Sequence, residues 1–234
     1  MNEKVAKCLL VSKVLVADGI MTDDERGFLE AMMAAEGLDA DERRRVIDLE
    51  GWDQAEQLVR GLAIEQRRGA AQALGDAGRP DATALLRFKV LLGDSEPAVL
   101  SACLEAMFAL SRDASYGFVV KLLAAHDERA EVAALALGGA RFAAAVDALT
   151  TWCVGATSEQ RHRIGYLSLA LLRAEPATAY LLDAIRSHGR RDAVAAARAL
   201  ATFKDDAAMV ERIRAAAGEQ RDPAARDEIA ELLR

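Results

Sequence analysis

The acidic side chains near the N-terminus are the first candidates for chemistry in this sequence. Asp18, Asp23, Asp24 and Glu25 fall within eight residues, and carboxylate oxygens are the ligands that hard cations such as calcium and magnesium prefer. The spacing lacks the D-x-[DN]-x-[DN]-G pattern and the late glutamate of an EF-hand loop. We therefore treat Asp18, Asp23 and Glu25 as candidate ligands of a divalent cation, the one cofactor that the sequence suggests.

A second interpretation assigns the same acidic residues to a helix start. Residues 4–16, KVAKCLLVSKVLV, predict an apolar helix that ends before the Ala-Asp-Gly of residues 17–19. Thr22 with Glu25 three positions later forms a capping-box pattern. Carboxylates in a first turn stabilise the positive end of the helix dipole without any ion. Both interpretations stay open at this point.

Residues suited to catalysis are few and scattered. The three histidines, His126, His162 and His188, are too far apart in sequence to share one helix face. The sequence contains no GxSxG, HExxH or GxxxxGK[ST] motif. Adjacent carboxylates such as those of residues 205–206 lie at predicted helix starts, where capping explains them. We therefore expect a protein that is not an enzyme.

The composition indicates closely packed helices. The 234 residues are 52% hydrophobic, 29% charged and only 5% aromatic, with four prolines, which favours an all-α fold. Cys8, Cys103 and Cys153 are widely spaced and odd in number, so they predict buried free thiols in a reducing compartment. With no signal-peptide core and no apolar run of about 20 residues, we expect no membrane span and a cytoplasmic location.

The net charge of −7 is concentrated in the N-terminal part of the chain. Residues 1–64 hold 14 acidic and 8 basic residues, whereas residues 65–234 hold 23 acidic and 22 basic residues. Neutralising a phosphate backbone requires a basic excess that neither part has. Nucleic acid is therefore a poor candidate partner, and we expect a protein partner instead.

Turn and helix-start signals recur at a regular spacing of about 31 residues, which is typical of a repeat array. The stronger signals lie at residues 65–66, 94–97, 127–128, 157–159, 189–192 and 221–223. Weaker breaks lie between them, at residues 78–81, 111–113, 138–141, 174–176 and 204–206. Each period therefore predicts two helices, giving five helix pairs and a closing helix near the C-terminus.

These pairs resemble short HEAT-like repeats, best in QRRGAAQALGDAGRPDATALLRFKVLLGD, residues 66–94. The resemblance implies a curved superhelix whose second helices line a concave, partner-binding face. Scaffolds, bilin lyases and DNA glycosylases share related architectures, so the fold does not fix one activity. On the second helices we expect a protein partner to contact Arg87, Lys89, Tyr116, Lys121, Tyr180 and Arg186.

The N-terminal segment LLVSKVLVADGIMTDDERGFLEAMMAAEGLDADE resembles the first part of the TerB-like family, named for tellurite resistance. The shared pattern is an apolar helix, an Ala-Asp-Gly, a glutamate seven residues past the aspartate, and a G-L-x-x-x-E turn. The resemblance implies that Asp18 and Glu25 are metal ligands. The second acidic half of the family's pattern is not found after residue 50.

Together these observations predict an all-α fold, a short α-solenoid of HEAT-like helix pairs at residues 65–234 preceded by a small acidic helical module at residues 1–64. We expect a non-enzymatic scaffold or adaptor that binds protein through the solenoid surface. The alternative is a regulator that responds to a divalent cation through the acidic loop. A lyase or DNA glycosylase of HEAT-like architecture is a third hypothesis, which the charge balance disfavours.

Overall fold

The computed structural model of the chain describes residues 4, 5, 8, 11, 23–47, 58, 63–78, 82–125, 127–156 and 158–234. Over these residues every regular element is helical, with twelve α-helices, two short 3-10 helices and no strand. The prediction of an all-α, solenoid-like fold is confirmed. None of the described helices is long and apolar enough to span a membrane.

The α-helices in chain order are α1 (Asp23–Ala35), α2 (Ala40–Ile47), α3 (Ile64–Asp76), α4 (Ala82–Leu92), α5 (Pro97–Leu122), α6 (Glu128–Gly139), α7 (Val146–Val154), α8 (Glu159–Leu172), α9 (Glu175–Ser187), α10 (Arg190–Leu200), α11 (Ala207–Gly218) and α12 (Pro223–Leu232). The 3-10 helices are Ala143–Ala145 and Ala201–Phe203. The chain divides into two compact units, Met1–Leu74 and Gly75–Arg234. The domain boundary between residues 64 and 65 stays a prediction.

In the first unit, α1 and α2 contribute to a small apolar core. Its buried members are Val5, Cys8, Leu29, Met33, Leu38 and Val46. The chain turns between the two helices at Gly37, whose φ of 70° is favourable for glycine. Asp39 and Glu42 then form a capping box, because the Glu42 amide donates to Asp39 Oδ1 at 2.8 Å and the Asp39 amide donates to Glu42 Oε2 at 3.1 Å.

In the second unit the helices pack in two rows, the arrangement that the repeat pattern predicts. The first helices of successive pairs, α6, α8, α10 and α12, contact one another in order. The second helices α7, α9 and α11 form the other row and contact the first helices. Each pair thus buries the apolar face of its neighbour, as expected of stacked helical repeats.

Small residues allow the first helices to approach closely. Ala133 and Ala134 of α6 and Ala196 and Ala197 of α10 are all fully buried. The closest approach is at Gly138 of α6, where an added Cβ would overlap the Ser168 carbonyl oxygen and lie 3.0 Å from its Cα. Only glycine fits there without moving α6 away from α8.

The second helix pair shows the break that the sequence predicts at residues 111–113. The range of α5 covers two helices joined at Ser111, where the backbone is non-helical (φ −159°, ψ 81°). The buried Ser115 hydroxyl donates to the Met107 carbonyl at 3.1 Å. Because the kink interrupts the helical hydrogen bonding, this side chain satisfies a main-chain acceptor that the helix no longer serves.

Two arginines at equivalent repeat positions reach across an intervening helix pair. Arg129, near the start of α6, donates from Nη1 to the Leu91 carbonyl of α4 at 3.0 Å. Arg161, near the start of α8, donates from Nη2 to the Ala125 carbonyl in the turn after α5 at 2.8 Å. Both contacts therefore connect helix pairs that are not adjacent in the array. The N-cap residue Asp127 orients the Arg129 side chain, because its Oδ2 lies 2.7 Å from Arg129 Nη2.

Candidate interaction surface

The predicted cation ligands lie largely outside the described part of the chain. Asp18 is not among the described residues, and for Asp23 and Glu25 only the backbone, in the first turn of α1, is described. Over the described residues no group of three or more His, Cys, Asp or Glu side chains is arranged to hold a metal ion. The cation site at the acidic loop therefore stays a prediction from the sequence.

Two of the predicted partner-binding residues connect neighbouring helix pairs. Arg87 of α4 donates from Nη2 to the Ala114 carbonyl of α5 at 2.8 Å. Tyr116 of α5 donates from its hydroxyl to the Ala144 carbonyl at 2.9 Å. Both side chains thus stabilise the stacking of pairs, and their contact with a partner stays a prediction.

Lys89 of α4 is buried rather than exposed, unlike the other predicted partner-binding residues. Its residue exposure is 4%, and Nζ lies 2.8 Å from Asp94 Oδ2 in an ion pair whose side chains are 5% and 3% exposed. A buried ammonium needs such a carboxylate because desolvation of an unpaired charge is costly. Lys89 is therefore not presented to a partner in this structure.

The other three predicted residues lie partly or fully at the surface. Lys121 of α5 is exposed, and Arg186 of α9 has its Nε at 3.5 Å from Glu219 Oε1. Tyr180 of α9 is half-buried, and burial raises the pKa of its hydroxyl. These residues remain available for the second-helix contact that the sequence predicts.

A groove that sequence reasoning missed lies between α8 and α10, in the row of first helices. It has a volume of about 1080 Å³ and is bordered by Glu228 of α12 at one end. We call it the first-helix groove. Its aliphatic lining consists of Ile164, Leu167, Val194, Ala195 and Ala199. The short alanine side chains of α10 leave room that longer residues would fill, so stacking of the pairs leaves an open space here.

The rim of the first-helix groove is rich in arginine. Arg190 donates from Nη2 to Glu228 Oε2 at 3.1 Å, which joins the start of α10 to α12. Arg198 lies farther from the same carboxylate, with Nη2 at 3.9 Å from Glu228 Oε1. Arg163 and Arg191 complete the set of four arginines on the lining. Glu228 thus lies near two of the four guanidinium groups, those of Arg190 and Arg198.

His162 and Asp192 form the most enzyme-like pair in the groove. His162 Nδ1 lies 3.2 Å from Asp192 Oδ1, and the His162 ring stacks on Tyr166 with 4.7 Å between centroids. Such a pair could orient an imidazole as a general base if a nucleophile or substrate group lay beside it. The neighbouring hydroxyl of Tyr166 is fully buried, and burial raises its pKa well above the usual range.

The thiol nearest to this pair is not suited to nucleophilic catalysis. Cys153 Sγ lies 3.9 Å from the His162 carbonyl oxygen, and burial raises the pKa of the thiol to about 12. The thiolate is the nucleophilic form, so a protonated buried thiol is inert at neutral pH. All three cysteines are free and buried, as the sequence predicts.

The residues at one end of the first-helix groove are visible in the sequence as a helix start. Residues 189–192, Gly-Arg-Arg-Asp, mark a helix start in the repeat pattern. Their side chains face residues of α8 and α12. Arg190 and Glu228 are 38 positions apart, so only the stacking of consecutive pairs brings them together.

Comparison with known proteins does not assign the chain to a family. No protein-family model matches the chain, and no curated protein matches it in sequence. The resemblances to HEAT-like repeats and to the TerB-like family stay predictions from the residues quoted above.

Proposed function

We propose that this protein is a non-enzymatic scaffold of the cytoplasm that binds a protein partner on the surface of its helical array. The observation that supports this proposal is the first-helix groove, which combines an aliphatic lining with a charged rim. Protein interfaces commonly place apolar contacts at the centre and polar contacts around them, with arginine enriched. The proposal includes the assignment of the array to HEAT-like repeats.

The chemistry of the groove supports binding rather than catalysis. The Cys153 thiol is kept protonated by burial, with a pKa of about 12, and the Tyr166 hydroxyl is fully buried. His162 and Asp192 therefore have no activated nucleophile beside them among the described residues. Arginines with an aliphatic surface between them are better suited to hold a polypeptide in place.

The proposal is tested by isolating and then reconstituting a complex. The full chain, tagged and expressed in its native cells, is cross-linked and purified, and each co-purifying protein is then produced separately. Isothermal titration of the purified full chain with each candidate should give a saturable complex of fixed stoichiometry. The scaffold proposal is wrong if no purified candidate protein binds, or if the chain turns over a substrate that co-purifies with it.

A further inference from the structure

The first-helix groove holds more guanidinium groups than its own carboxylates satisfy. Arg191 Nε lies 3.8 Å from Asp192 Oδ1, and Arg198 Nη2 lies 3.9 Å from Glu228 Oε1. Both distances exceed those of an N–H···O hydrogen bond. Arg163 is exposed and has no ion pair with any described residue. Three arginines on one groove thus retain donors that face solvent.

These donors are complementary to carboxylates. The planar guanidinium presents paired N–H groups that match the two oxygens of a carboxylate, so arginine recognises acidic side chains with defined geometry. The side chains of Arg191 and Arg198 are 65% and 57% exposed, so both groups can reach a ligand without unfolding any helix. The chain as a whole carries a net charge of −7, whereas the lining of the groove places four arginines beside Glu159, Asp192 and Glu228, so it has a small basic excess.

The size and lining of the groove indicate a polypeptide ligand. A volume of about 1080 Å³ lies just above the range for small-molecule pockets, which is about 300–1,000 Å³. Between the arginines, the partly exposed Ile164, Leu167 and Ala195 offer an aliphatic surface that can bury an apolar side chain of the ligand. An acidic segment with aliphatic side chains satisfies both parts of this surface.

We propose that the first-helix groove binds an acidic peptide segment of the partner protein, in which glutamate or aspartate residues contact Arg163, Arg191 and Arg198 and an aliphatic residue enters the groove between α8 and α10. The inference rests on the proposed scaffold function and specifies the chemistry of the partner. It adds a binding surface on the first helices to the second-helix residues that the sequence predicts.

Nucleic acid fits the same groove less well. Glu159, Asp192 and Glu228 lie among the arginines of the lining and repel a continuous phosphate backbone. Residues 65–234 carry 23 acidic and 22 basic residues, whereas phosphate binding depends on an extended basic excess. A peptide can place its carboxylates beside the arginines and leave uncharged groups beside the acidic residues.

The test is a fluorescence anisotropy titration of the full chain with labelled peptides. The probe is EELLEELLEE, and the matched probes are KKLLKKLLKK, QQLLQQLLQQ and a short oligothymidine. We expect saturable binding of the glutamate peptide that weakens as salt is raised, and no saturable binding of the lysine peptide. The Arg163→Glu/Arg191→Glu variant should weaken binding by about tenfold or more, which is about 1.4 kcal/mol.

The matched control is Arg214→Glu, which reverses an exposed charge on α11 in the row of second helices. It should change the affinity for the glutamate peptide by less than about twofold, because Arg214 is not part of the lining of the first-helix groove and exposed charges are screened by salt. Circular dichroism establishes that each variant is folded. If the double reversal does not fold, Arg163→Gln/Arg191→Gln removes the same donors without adding negative charge and should also weaken binding.

Four results overturn the inference: no saturable binding of the glutamate peptide, equal or tighter binding of the lysine peptide or oligothymidine, retention of affinity in a folded groove variant, and an equal loss in Arg214→Glu. These results are separable from failure of the scaffold proposal. A reconstituted partner that binds the groove variant as tightly as the original chain contradicts only the groove assignment. Absence of any reconstituted partner contradicts the scaffold proposal.

Discussion

The contact between α6 and α8 makes a sharp prediction about two neighbouring glycines. Gly138→Ala places a Cβ that overlaps the Ser168 carbonyl oxygen and lies 3.0 Å from the Ser168 Cα, whereas a Cβ at Gly139 meets nothing within 4 Å. Both residues are at the end of α6, so the two substitutions change helix propensity in the same direction, by up to about 1 kcal/mol in favour of alanine. The difference between the variants therefore reports the steric cost alone.

The steric cost follows from what must move. The obstacle at Gly138 is the main chain of a buried turn of α8, so no side-chain rotation can relieve the overlap. Overpacking of this kind costs about 1–3 kcal/mol. We expect Gly139→Ala to be neutral or slightly stabilising, and Gly138→Ala to be less stable than Gly139→Ala by about 1–3 kcal/mol.

Urea denaturation followed by circular dichroism at 222 nm measures both variants against the original chain. The midpoint should fall for Gly138→Ala while the slope of the free energy of unfolding against urea stays the same, because the surface exposed on unfolding is unchanged. Equal stability of the two alanine variants, within about 0.5 kcal/mol, would refute the close packing of α6 on α8.

Three further predictions concern buried polar groups. Lys89→Met should lower the free energy of unfolding by about 3–5 kcal/mol, because the variant leaves the buried carboxylate of Asp94 without the ammonium. Arg214→Met breaks an exposed ion pair of 2.7 Å and should cost less than about 1 kcal/mol. Urea denaturation measures both variants, and equal losses would contradict the burial of the Lys89–Asp94 pair. Burial raises the pKa of Cys103 and Cys153 from 9.0 to about 12. The stability linked to these protonated thiols is therefore complete below pH 9 and is lost as the pH rises toward 12. The melting temperature should fall from pH 8 to pH 11, and it should fall less steeply when either cysteine is replaced by alanine. Gln220→Ala removes two hydrogen bonds, of 2.6 and 3.0 Å, to main-chain carbonyls at the end of α9. It should lower the free energy of unfolding by about 1–3 kcal/mol in the same urea denaturation assay. No measurable change would show that those carbonyls do not depend on the Gln220 side chain.

The helices and their grouping could be predicted from the sequence because they depend on local signals. Helix starts such as Asp127 and Asp222 are capping residues whose side chains accept from the second residue beyond them. Their spacing of about 31 residues identified the pairs. Burial of Ala133 and Ala196 also follows from sequence, because stacked pairs require small residues where the backbones meet.

The details that the sequence did not reveal depend on register between helices. The break predicted at residues 111–113 is present at Ser111, but the hydrogen bond that the Ser115 hydroxyl donates to the Met107 carbonyl there depends on how the two helices meet. The sequence predicts that Lys89 contacts a partner, whereas its burial with Asp94 depends on how the turn after α4 folds back. The first-helix groove exists only because α8, α10 and α12 meet, which no single repeat encodes.

The hydrogen bonds of Arg129 and Arg161 have a consequence for how the array comes apart. In an array held only by contacts between adjacent repeats, stability is a sum of nearest-neighbour terms and the ends fray one repeat at a time. Here Arg129 donates a hydrogen bond to the Leu91 carbonyl and Arg161 donates one to the Ala125 carbonyl. Each of these hydrogen bonds spans a whole intervening helix pair. Each of these hydrogen bonds is worth about 0.5–1.5 kcal/mol net, so together they make the opening of the middle of the array more cooperative than adjacent contacts alone would.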